Sequence, residues 1–156
     1  SGKPGTAFVW LSGLKPTENR HTPFFDAVFP ARANLSCDGN AMQTGGVPCD
    51  QGIGAHSKSV IAYDLKGLKL REKGARFTAL LGIDDETNGR GDAEASVELD
   101  GKVVFKSGPL KPGVTPRLIS IPLNSKNRKL VLTADFGPDQ DDSGDHVDWG
   151  WAAIVR

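Results

Sequence analysis

The sequence predicts an all-β fold, a β-sandwich of jelly-roll type, and three observations carry that expectation. Nineteen Gly and ten Pro among 156 residues interrupt the chain too often for a bundle of helices. Short segments alternate apolar and polar residues with period two, the mark of strands half-buried against a core. These segments are joined by turn-rich stretches, the pattern of sandwiches and jelly rolls.

The first strand is expected over residues 7–12. Residues 56–71 carry Val60, Ile61, Leu65, Leu68 and Leu70 at a spacing that would also suit a helix. The β-branched pair at 60–61 and Gly67 favour a strand over 59–64 followed by a loop. In 76–83, Phe77, Ala79, Leu81 and Ile83 share one face. Ala95, Val97 and Leu99 do the same before Asp100-Gly101, and residues 102–105 return, a strong hairpin signal. Further strands are expected over 117–123, 128–135 and 148–155, with Pro122 marking an edge or a bulge. Eight or nine strands in one domain, residues 1–156, with 1–6 as a flexible tail, complete the expectation.

Nineteen basic and 19 acidic residues leave no net charge. No global field therefore draws in nucleic acid or an anionic membrane. No run of eighteen apolar residues is present, so insertion of a helix into a bilayer is not expected. Cys37 and Cys49 flank eleven residues of Gly/Asn/Pro-rich chain. A disulfide between them is expected, worth about 2–3 kcal/mol, and it would place the protein in a secreted or extracytoplasmic setting.

Polar chemistry gathers in three stretches: 51–56 ahead of a strand, 84–86 after one, and an acidic loop over 135–148. Three chemistries suit them. Paired carboxylates for glycoside hydrolysis could come from Asp84, Glu86, Asp145 and Asp148, although no Gly-x-Ser-x-Gly elbow supplies a nucleophile. Asp139, Asp141 and Asp142 suit a structural Ca²⁺ ion, or form a merely solvated loop. A pyranose needs an aromatic wall and a few fixed hydrogen-bonding groups; Trp149 or Trp151 beside Asp148, with His56, could provide both. Trp149, Trp151 and Ala153 could equally fill the core.

The blocks Gln-Gly-Ile-Gly-Ala-His at 51–56, Gly82-Ile-Asp-Asp-Glu86, Leu99-Asp-Gly-Lys-Val-Val-Phe-Lys-Ser107 and Asp145-His-Val-Asp-Trp149 resemble, in order and spacing, the NPCBM domain. That family is the "novel putative carbohydrate-binding module", family 51 of carbohydrate-binding modules. The resemblance implies a β-sandwich appended to secreted bacterial glycoside hydrolases. It implies glycans with terminal galactose as partners, and binding rather than catalysis. Carried over by position, it implies a carbohydrate site among His56, Asp84, Asp85, Glu86, Asp145, His146, Asp148 and Trp149. Where the family often has an aromatic residue before Gly-Ile-Gly, this chain has Pro48-Cys49-Asp50. The other reading is a structural or protein-interaction sandwich without sugar binding.

Overall fold

The computed structural model describes residues 8–23 and 27–156; the expected tail at 1–6 lies outside them. Thirteen strands are formed among the described residues: β1 (Phe8–Trp10), β2 (Glu18–His21), β3 (Arg32–Ala33), β4 (Met42–Thr44), β5 (Val47–Cys49), β6 (Gly52–His56), β7 (Ser59–Asp64), β8 (Ala75–Ile83), β9 (Ala93–Leu99), β10 (Lys102–Leu110), β11 (Arg117–Leu123), β12 (Lys129–Phe136) and β13 (His146–Val155).

Two antiparallel sheets make the sandwich. One runs β11-β8-β13-β6-β3, with β1 also paired to β13; the other runs β10-β9-β12-β7-β2. The small β4-β5 hairpin stands apart as a third sheet. Alternate residues of β8 and β9, among them Phe77, Ala79, Leu81, Ala95, Val97 and Leu99, turn into one core, as a period of two requires. Asp100 and Gly101 both take positive φ, 53° and 84°, and join β9 to β10 in the tight turn their sequence suggests. Pro122 sits on β11, the edge strand of its sheet, where its missing N–H interrupts no ladder on the outer side.

Expectation and structure part at 51–56. That stretch is not a loop but the buried strand β6, inserted between β13 and β3. Its glycines are there for room. A Cβ at Gly54 would lie 2.6 Å from Ser36 Cα and would strike the Leu35 carbonyl oxygen as well. The acidic loop is also shorter than expected, since β13 already begins at His146 and contains Asp148 and Trp149.

Trp149 is fully buried in the core. Its expected role as a wall for a sugar is therefore corrected, because no face of its indole reaches solvent. Trp151, two residues on, is half-buried and takes φ 51° where the β13–β8 register slips between Gly150 and Ala153. That bulge re-aims the second indole to the outside, where it meets Trp10 at 5.8 Å, and Trp10 in turn meets Phe8 at 5.0 Å.

The disulfide is also corrected: Cys37 and Cys49 are buried free thiols. Cys37 belongs to the turn after β3, whereas Cys49 closes the β4-β5 hairpin opposite Met42 and packs at Gly150. Burial, helped by nearby carboxylates, pushes the Cys49 thiol up to about 11, so it stays protonated.

Candidate functional site

The register of three neighbouring strands builds one rim. His146, first residue of β13, pairs with His56, last residue of β6, while Val147 pairs with Ile83 at the end of β8. The chain leaving β8 therefore sets Asp84 beside His146, its N–H donating to the His146 carbonyl at 2.8 Å.

The 84–86 turn holds neighbouring loops in place. Asp84 is buried; it caps the short 3₁₀ turn through the Glu86 N–H at 2.9 Å and accepts the Gln43 N–H at 3.2 Å. Asp85 accepts from Gln43 Nε2 and from the Gly45 and Gly46 amides, which fastens the β4-β5 hairpin to the rim. Glu86 accepts from Ser36 Oγ and Asn40 Nδ2, both at 2.8 Å, and from His146 Nδ1 at 2.7 Å. Burial raises the Glu86 pKa, but these three bonds outweigh it and hold the carboxylate below its ordinary range.

Asp145 and Asp148 are sealed inside. Asp145 accepts from Ser57 Oγ at 2.7 Å and the Asp92 amide at 2.9 Å, yet burial still pushes its pKa up to about 6. Asp148 is the sharper case. No N–H or O–H among the described residues donates to either carboxyl oxygen. Burial first, then the Asp84 carboxyl against it, push its pKa up to about 11, so it keeps its proton at neutral pH. A protonated Asp148 donates to Asp84, which is how two buried acids coexist there.

His56 keeps 7% of its surface exposed and heads a cluster of rings. Phe29 stacks on it at 5.2 Å and 23°, His21 meets it edge-on at 5.3 Å, and His146 lies at 5.3 Å. A carbonyl oxygen can only accept, so His56 Nδ1, 2.8 Å from the Ser57 oxygen, carries a proton. Burial, reinforced by the two other histidines, lowers the His56 pKa, which leaves its Nε2 a bare acceptor. His21 donates to the same oxygen through Nε2 and receives the Phe29 N–H on Nδ1 at 2.9 Å, so it pins Phe29 in place. His21 and Phe29 belong to no motif in the sequence; an aromatic beside proline in the apolar run Ala27-Val-Phe-Pro-Ala31 is the one signal there.

The acidic loop does not gather its carboxylates. Asp139 accepts the Asp141 amide and Asp141 the Ser143 amide, so they shape their own loop. Among the described residues, Asp139, Asp141 and Asp142 do not belong to a group of three or more converging His, Cys, Asp or Glu ligand atoms. A separate concavity of about 270 Å³ is lined by Leu81, Pro109, Leu110 and Val114 with Lys111 and Arg117; it offers a sugar neither ring nor carboxylate.

The NPCBM/NEW2 domain family matches residues 7–155. The chain belongs to that family. Among solved structures, this NPCBM chain superposes on the CBM51 module of Clostridium perfringens GH95 in complex with methyl-galactose, with TM-score 0.79 and 27% identity over 94% of this chain and 99% of that one. Tandem CBM51 modules of a family 98 glycoside hydrolase from Streptococcus pneumoniae share the fold, at TM-score 0.79 and 21% identity, over 96% of this chain and 47% of theirs. By sequence, 87 residues, 56% of the chain, are 37% identical to a putative endo-alpha-N-acetylgalactosaminidase of Renibacterium salmoninarum. A stretch of 119 residues, 76% of the chain, is 31% identical to alpha-1,3-galactosidase B of Akkermansia muciniphila. The NPCBM chain spans only 5% and 14% of those two enzymes.

Proposed function

We propose that this NPCBM module binds a terminal galactose-type sugar, without catalysis, at the rim built by His56, His146 and Phe29. The observation that carries the reading is the likeness over nearly the whole chain to a module whose structure holds methyl-galactose. The local chemistry supports it. The axial hydroxyl of galactose leaves one face of the ring apolar, and Phe29 offers a ring to that face. His56 Nε2 accepts from one hydroxyl and the His146 edge serves a second, while Glu86 holds His146 from behind.

Catalysis fits poorly. Hydrolysis needs two carboxyl groups facing one bond, whereas Asp84, Asp145 and Asp148 are buried and Glu86 is occupied by three donors. The module is then an accessory domain of a larger, secreted glycan-degrading enzyme, as its resemblance to short stretches of two long enzymes suggests. An open single-sugar site gives a Kd of roughly tens of micromolar to millimolar.

Titration calorimetry with methyl galactoside, N-acetylgalactosamine and methyl glucoside checks this. Galactosides should release heat, and His56→Ala or Phe29→Ala should weaken binding tenfold or more. Trp151→Ala is the control, because it stands five residues, roughly 17 Å of strand, beyond His146 on β13 and should leave affinity unchanged. Binding lost in Trp151→Ala but kept in His56→Ala would move the site to the Phe8-Trp10-Trp151 platform. No heat with any sugar would favour the scaffold reading.

A further inference from the structure

Behind the rim lies a second constellation, which shares His146 and its Glu86 support with the sugar reading and adds Cys37 and Asp38. One ligand atom each from Cys37, Asp38, Glu86 and His146 lies within 4.8 Å of every other. The four come from two remote stretches and from the head of β13, brought together by the packing of the 34–41 turn on the 84–86 turn. The set is one sulfur, one imidazole nitrogen and two carboxylates, three of them partly or fully shielded from solvent.

We infer that Cys37, Asp38, Glu86 and His146 form a binding site for a borderline-soft divalent cation of the Zn²⁺ class. The chemistry of the donors selects the metal. Thiolate and imidazole are poor ligands for Ca²⁺ and Mg²⁺, which want oxygen throughout, whereas Zn²⁺ takes sulfur, nitrogen and carboxylate oxygen in tetrahedral array. Metal–ligand bonds of about 2.0–2.3 Å put tetrahedral ligand atoms roughly 3.3–3.8 Å apart. His146 Nδ1 already lies 3.8 Å from Asp38 Oδ2. Its 2.7 Å hydrogen bond to Glu86 Oε1 must open by under an ångström for both atoms to face one ion.

The electrostatics point the same way. The ligand atoms of Asp38 and Glu86 converge with the Cys37 sulfur, so two carboxylates share this one pocket. No lysine or arginine forms an ion pair with Asp38 or Glu86 among the described residues. A divalent ion would supply that missing charge, displace the thiol proton to solvent, and shift the His146 proton to Nε2. His146 then presents an N–H donor at the rim, but the metal site stands without any sugar.

The test uses the reduced 156-residue chain and the metals alone. Co²⁺ should bind stoichiometrically, with a sulfur-to-metal charge-transfer band in the near ultraviolet and intense tetrahedral d–d bands; Zn²⁺ should displace it and raise the melting temperature. Cys37→Ser should abolish the charge-transfer band. Asp38→Asn, at an exposed position that does not threaten the fold, should weaken Co²⁺ affinity tenfold or more. The inference is overturned if Co²⁺ gives no such band, if Cys37→Ser keeps it, or if Ca²⁺ alone shifts the melt. Galactoside titration of the same samples is read separately, so either result can fail without the other.

Discussion

Replacing Asp148 with asparagine is expected to stabilise the protein by roughly 2–4 kcal/mol at pH 7 and to flatten the alkaline side of its stability profile. The reason is the proton that the folded state must keep. Unfolded, the carboxyl has its ordinary pKa of 3.8; folded, burial and the Asp84 carboxyl push it up to about 11. Between those values the folded chain binds one more proton than the unfolded chain, so stability falls as pH rises, by about 1.4 kcal/mol per unit. The contribution is complete below the unfolded pKa and has gone once pH passes the folded one. Asparagine fills the same volume, carries no titrating proton, and its Nδ2 can donate to Asp84 as the protonated acid does. Urea titrations of the wild type and Asp148→Asn from pH 5 to pH 9 would measure this. Parallel curves would mean that Asp148 is ionised in the folded state.

Other groups shape the rest of the profile. Asp145, pushed up to about 6, adds to the loss between the ordinary carboxylate range and pH 6. Glu86 and His56 act with opposite sign, because both folded pKa values are lowered. Their contributions are present at neutral pH and are lost as pH falls, His56 below the ordinary imidazole range and Glu86 through the carboxylate range. A maximum on the acid side of neutrality follows for the wild type.

These groups also show how far the sequence could be read. Strand periodicity marks β8, β9, β11 and the Asp100-Gly101 hairpin, because alternation is local and these strands turn alternate residues outward over much of their length; β7 is marked by its β-branched pair instead. β6 escaped because all five of its residues are buried. A strand packed on both faces shows no alternation, and its glycines read as a turn. The two indoles of β13 illustrate a different limit. Period two assigns Trp149 and Trp151 to the same face, but the slip after Gly150 separates them, and a bulge has no clear mark in the chain. The resemblance pointed to the polar blocks without their roles. Asp84, Asp85 and Asp145 hold backbone amides rather than offering free acceptors, since their partners at 43–46 and 92 are distant in sequence. His21 and Phe29 went unseen for the same reason.

Gly54→Ala is expected to cost about 3 kcal/mol and to damage both the sugar rim and the cation site from a position that touches neither. The added Cβ would meet the Leu35 carbonyl oxygen and lie within 2.6–2.7 Å of the Ser36 backbone. Backbone cannot swing aside as a side chain can, so the 35–36 segment must move. That segment is tied to the site at two points. Ser36 Oγ donates to Glu86, and the Ser36 carbonyl and hydroxyl close the turn that carries Cys37, Asp38 and Asn40. Moving it pulls two donors from Glu86, loosens His146, and spreads the four cation ligands. Gly13→Ala is the matched control, since its Cβ would meet nothing within 4 Å and its φ is not positive. Chemical denaturation should separate the two variants by most of the predicted cost. In Gly54→Ala, still folded at low temperature, galactoside affinity and Co²⁺ binding should fall together. Full retention of both would mean that the 34–41 turn is not what positions Glu86 and His146.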